Sequence, residues 1–86
     1  LGPQTELLEH ARVVLRQGDP TLALRSIERY RHEFPNGAFF EEAVVLQATA
    51  LCRLGRYEEG RALLKRLETS SRNQGFARAR GLCDHP

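Results

Sequence analysis

The sequence predicts an all-α fold built as a solenoid of antiparallel helix pairs: two pairs, then a fifth helix that caps them. Three observations carry this. Apolar residues recur at helical spacing through most of the 86 residues. Glycine-centred turns interrupt that pattern at Gly18 and Gly55, which lie 37 residues apart. At the same offset of 37, Ala11 matches Ala48, Val14 matches Leu51, Arg16 matches Arg53, Ile27 matches Leu64, Arg29 matches Arg66 and Phe39 matches Phe76. A fixed period of this length marks a repeat architecture, in which each unit leaves an apolar face for its neighbour to cover. One domain over 1–86 is expected, with repeat one at 4–37, repeat two at 38–72 and the capping helix at 75–83.

The first helix is expected from Gln4 to Gln17. Thr5 or the preceding turn caps it, and Glu6 and Glu9 sit where the helix dipole favours negative charge. Leu7, Ala11 and Val14, widened by Leu8 and Leu15, give it one apolar face. Gly18 stops it. Asp19 then supplies an N-cap and Pro20 a first helical residue with no N–H to satisfy, so a second helix starts at once. Its inward stripe is Ala23, Ile27, Tyr30 and Phe34, and Pro35 with Asn36-Gly37 ends it. The third helix runs from Ala38 or Phe39 to Leu54, with Phe40, Val44, Ala48 and Leu51 inward. The fourth runs from Tyr57 to Thr69, with Tyr57, Gly60, Leu64 and Leu67 inward. Gly60 weakens that helix by about 1 kcal/mol relative to alanine. Residues from Ser70 to Gly75 read as a polar loop, and Phe76 to Cys83 as a short fifth helix packing through Phe76, Ala79 and Leu82 or Cys83.

Composition narrows the function classes. Hydrophobic residues make up 41% and charged residues 28%, which suits a folded helical domain. The net charge of +2 is far from the lopsided balance of most nucleic-acid binders. No apolar run approaches the ~20 residues of a membrane-spanning helix, so direct membrane insertion is not expected. Arg72, Arg78 and Arg80, with Arg61, Lys65 and Arg66, form a basic cluster that lacks the interleaved aromatics of a nucleic-acid surface. Neighbouring carboxylates, Glu41-Glu42 and Glu58-Glu59, point to different sides of a helix and cannot share a substrate; the helix dipole explains them. His10, His32 and His85 have no metal-binding spacing. There is no phosphate-cradling glycine loop. The chain therefore reads as non-catalytic, with no cofactor and no metal site. Cys52 and Cys83 are 31 residues apart, which is no zinc spacing. They are either two buried thiols or a disulfide that ties down the last helix.

These residues resemble the tetratricopeptide (TPR) repeat. The resemblance rests on Ala11, Gly18-Asp19, Ala23, Tyr30 and Pro35, then Ala48, Gly55-Arg56-Tyr57 and Gly60. The chain departs from the pattern at Arg72, where a closing proline belongs, at Gly60, where alanine is usual, and in a period of 37 rather than the usual 34 or so. The extra length lies between Phe34 and Ala43. A Phe-Pro-x-Gly link of this kind resembles the bacterial cell-envelope branch of the family, typified by BamD and CpoB (YbgF). That branch implies the bacterial periplasm and favours a Cys52–Cys83 disulfide. In the family, the first helices of successive pairs line a concave groove that holds a peptide or a partner helix. Carried over by position, the groove takes Leu8, Arg12, Leu15 and Arg16 from the first helix and Glu42, Val45, Thr49, Cys52 and Arg53 from the third. An apolar floor with arginine rims implies a protein or peptide carrying acidic residues. Leu8 and Arg12 stand where chaperone-binding members carry a carboxylate-gripping Lys/Asn set. Two readings of these positions stay open: they hold a partner, or they pack against a longer array or a second copy. Self-assembly through open end faces is the rival function.

Overall fold

A computed structural model of the chain describes residues 2–67 and 74–84. These residues form five helices and no strand: α1 (Pro3–Arg16), α2 (Pro20–Glu33), α3 (Phe40–Arg53), α4 (Tyr57–Lys65) and α5 (Gln74–Cys83). The expected ends of the fourth helix and of repeat two, the loop from Ser70 to Asn73, Arg72 and His85 lie outside the described residues.

The two glycine turns are the same object. Gly18 and Gly55 have φ of +88° and +82°, which only glycine reaches without strain. At the first, the Gly18 N–H donates to Leu15 O at 3.0 Å and the Asp19 N–H to Val14 O at 2.9 Å. At the second, Gly55 donates to Cys52 O at 3.1 Å and Arg56 to Leu51 O at 2.9 Å. This crossed pair is the Schellman arrangement, which satisfies carbonyls that the helix end leaves unpaired. Every donor and acceptor recurs 37 residues later. Asp19 also starts the next helix, its Oδ1 accepting from the Leu22 N–H at 3.0 Å. Arg56 takes the same place before α4 with no side-chain cap.

The other boundaries differ from the sequence reading by a residue or two, except that α4 ends at Lys65, four residues before the expected Thr69. α1 begins on Pro3 after Gly2, and Thr5 does not cap it. α4 tightens early: Arg66 and Leu67 donate three residues back, to Leu63 O at 3.2 Å and Leu64 O at 3.0 Å. α5 starts on Gln74, so the expected loop gives up Gln74 and Gly75 to the helix. The link after α2 is latched by Tyr30. Its hydroxyl donates to Gln4 Oε1 at 3.1 Å and accepts from the Phe39 N–H at 3.1 Å. A Cβ at Gly37 would overlap that hydroxyl, so the glycine there serves close packing.

α1 packs on α2 and α3 on α4 as hairpins. α3 also lies along α2 and touches α1, while α2 and α4 are not neighbours. Two apolar clusters result. One joins Leu8, Ala11, Leu15, Ala23, Ile27 and Tyr30 to Ala43, Ala50 and Leu51. The other joins Val44, Val45, Ala48 and Cys52 to Leu64, Leu67, Ala79 and Cys83. α3 serves both and is buried over most of its circumference, which the single-stripe expectation underestimated. Phe40, expected inward, is 38% exposed instead, with the Arg31 guanidinium 5.6 Å from its ring centre.

α5 does not repeat the placement of α3. α3 lies mainly along the helix before it, whereas α5 lies mainly along α3 and less along α4. Ala79 and Cys83 are its buried residues, yet their counterparts 37 residues earlier, Glu42 and Leu46, are only half-buried. The helix is rolled about its axis to bring Cys83 to Cys52. The two form a disulfide of 2.03 Å, so the free-thiol alternative is set aside. Gly60 sits directly over it. A Cβ there would overlap Cys52 Sγ and come within 3.0 Å of Cys83 Sγ and 3.1 Å of Ala48 O. The glycine that departs from the repeat pattern thus makes room for the sulfur bridge.

Candidate functional site

The surface strip along α1 and α3 is built by the repeat itself. Helical geometry places residues four, three and four apart on one line. On α1 that line is Thr5, Glu9, Arg12 and Arg16; on α3 the equivalents are Glu42, Leu46, Thr49 and Arg53. All eight retain exposed or half-exposed surface, and the faces beside them are buried in the two clusters.

Polar contacts stitch the two rows together. The Arg12 guanidinium donates to Glu9 Oε2 at 2.9 Å on its own helix. It also donates to both carboxylate oxygens of Glu42 across the helix boundary. Burial alone pulls the Arg12 pKa down, but the hydrogen bonds and negative charge of Glu42, then of Glu9, outweigh it and leave the pKa raised. Arg53 Nη1 donates to Leu15 O at 2.8 Å, a second hydrogen bond to the carbonyl that also accepts from the Gly18 N–H at the end of α1. The Thr49 hydroxyl donates to Val45 O at 2.8 Å. Arg16 is exposed and holds no partner among the described residues.

The expected groove residues therefore separate. Arg12, Arg16, Glu42, Thr49 and Arg53 come together on the strip. Leu8, Leu15 and Val45 do not offer an open floor: they are 1%, 5% and 5% exposed. Cys52 is buried in the disulfide. Leu8 and Leu15 belong to the first cluster and Val45 and Cys52 to the second. Each apolar pair is consumed by the core it helps to build. Residue-by-residue carry-over missed Thr5, Glu9 and Leu46. The offset of 37 finds Thr5 as the counterpart of Glu42, and a step of three residues back along each helix finds Glu9 from Arg12 and Leu46 from Thr49.

Elsewhere the surface is mostly polar, with Leu22, Phe39, Phe40 and Leu54 as its exposed large hydrophobic residues among those described. The outer side of α1 and α2 carries Glu6, His10, Arg25, Arg29 and Glu33, with His10 Nδ1 2.7 Å from Ser26 Oγ. Among the described residues, no group of three His, Cys, Asp or Glu side chains could hold a metal ion, and no helix is long and apolar enough to cross a membrane. No protein-family model, curated protein or solved structure matches this chain.

Proposed function

We propose that this chain is a TPR-like, non-catalytic interaction module that binds a protein segment along the α1/α3 strip. The observation that carries the reading is the asymmetry of the stack. α1 and α3 touch directly, and so do α3 and α5, while α2 and α4 stay apart. A stack closed on one side and splayed on the other curves toward its closed side, which puts the strip on the inner surface. Solenoids use such concave surfaces for recognition. The strip is polar, and Arg12 is outnumbered by Glu9 and Glu42, two carboxylates to one guanidinium. The charge left to offer is that of Arg16 and the outer part of Arg53. Both suit a segment carrying carboxylates, and Leu46, half-buried against the first cluster two turns before Arg53, is the one apolar residue on the strip.

The buried disulfide supports an oxidising compartment, and with the Phe-Pro-Asn-Gly link it supports the bacterial envelope as the setting. The rival reading, self-assembly through end faces, is disfavoured by the charged outer side of α1 and α2. Sedimentation at high concentration separates the two, since end-to-end association predicts growing oligomers.

The test is selection of peptides from a displayed random library on the intact chain, followed by titration of the enriched peptides. Arg16→Glu, at an exposed position without a partner among the described residues, should weaken them at least tenfold with no loss of helical circular dichroism. Affinity unchanged in that variant contradicts the assignment.

A further inference from the structure

α5 is held to the body by few side chains. Ala79 and Cys83 are its buried residues among those described, and Cys83 is half of the disulfide. Phe76 and Leu82 are half-buried against the second cluster. The ten residues of the helix include Gly75 and Gly81, and a helix this short and this rich in glycine does not stand alone in water. Beneath it lies an apolar surface of Val44, Val45, Ala48, Leu64 and Leu67.

The bridge occupies a closed site. Both cysteines are buried. Gly60 lies so close that a Cβ there would overlap Cys52 Sγ, and Ala48 O bounds the same space. Unbonded sulfurs stand at van der Waals distance, so two thiols need more room than one bridge, and a close-packed interior does not supply it. The sulfurs part by moving Cys83, because Cys52 is set in α3, which packs on every other helix, whereas Cys83 ends α5. That end is clamped by Arg61, whose Nη1 donates to Cys83 O at 2.7 Å.

We propose that the Cys52–Cys83 bridge is a redox switch and α5 the element it controls: a dithiol reductant releases α5 and uncovers the apolar face of α3 and α4. A thiolate of the reductant attacks Cys83 Sγ, the S–S bond breaks, and Cys52 leaves as a thiolate that takes up a proton. The second thiol of the reductant then displaces Cys83 Sγ in the same way. The net exchange turns the dithiol into a disulfide and gives the chain two thiols, with two electrons and two protons passed on. Attack on a buried bridge waits for the last turn of α5 to lift, and Arg61 sets how often it does. α1, α2 and the part of α3 against them stay folded, because the first cluster contains no residue of α5. The α1/α3 strip is not part of this device, and its test does not depend on that reading.

The experiment is amide hydrogen exchange, followed by NMR on the intact chain, oxidised and then in excess dithiothreitol. Reduction should lower the protection of α5 at least a hundredfold and leave that of α1 and α2 nearly unchanged. Both thiols should then react with iodoacetamide under native conditions, and reoxidation with glutathione disulfide should restore α5. Arg61→Ala should speed reduction severalfold while the urea midpoint of the oxidised chain stays close to that of the parent. Protection of α5 that survives reduction overturns the proposal, since the bridge would then be a staple on a helix that docks without it. Loss of protection in all helices together also overturns it, since the bridge would then hold the whole fold. A reduction rate unmoved by Arg61→Ala overturns the clamp.

Discussion

Gly60 shows how one residue can satisfy two constraints that pull apart. Helix propensity favours alanine there by about 1 kcal/mol. The disulfide beneath leaves no room for a Cβ. Gly60→Ala should therefore destabilise the oxidised protein by about 1–3 kcal/mol in urea unfolding, as overpacking usually does. In a Cys52→Ala, Cys83→Ala background the obstructing sulfurs are gone and only the Ala48 carbonyl, 3.1 Å from the new Cβ, still crowds it, so the same exchange should cost clearly less. An equal penalty in both backgrounds would show that the sulfurs are not what excludes alanine. A second prediction concerns Glu59. The hydrogen bond and charge of Arg56 hold its carboxyl below the usual 4.5. A carboxylate with a lowered folded pKa stabilises above its unfolded value and loses that contribution as pH falls through the folded one. Carboxyl NMR titration should place the Glu59 midpoint below 4.5 and return it upward in Arg56→Ala.

At the scale of elements, the helices were legible where local chemistry decides them. Gly18, Asp19, Pro20, Pro35 and Gly55 each impose a backbone state that tertiary packing need not supply, and α2 ends within a residue of its expected limit. Asp19→Ala should cost about 1 kcal/mol, the usual value of a lost N-cap. Arg56→Ala, at the equivalent position, forfeits only an exposed ion pair and should cost less than Asp19→Ala. Comparable losses from the two exchanges in chemical denaturation would contradict this difference between the turns. The apolar faces were harder to read. Leu8, Leu15 and Val45 carry the same signature whether a partner or the next helix covers them, and only the placement of α3 and α5 decides it. α5 was the least legible element. Its Phe39–Phe76 correspondence suggests a third repeat in step with the others, but pairing of Cys83 with Cys52 rolls it out of step, and sequence periodicity carries no information about that rotation.

Among the described residues the two helical hairpins share the same glycine turn 37 residues apart, and α5, tied to α3 by the Cys52–Cys83 disulfide, packs differently from α3. That arrangement exposes a row of equivalent positions on α1 and α3 and buries the apolar positions beside them. The most direct test of the account is amide chemical-shift mapping of the intact chain with a peptide selected from the displayed library. The account predicts that the largest perturbations fall on Glu9, Arg12, Arg16, Leu46, Thr49 and Arg53. Perturbations centred on the outer surfaces of α2 and α4, with the α1 and α3 positions unmoved, would contradict it.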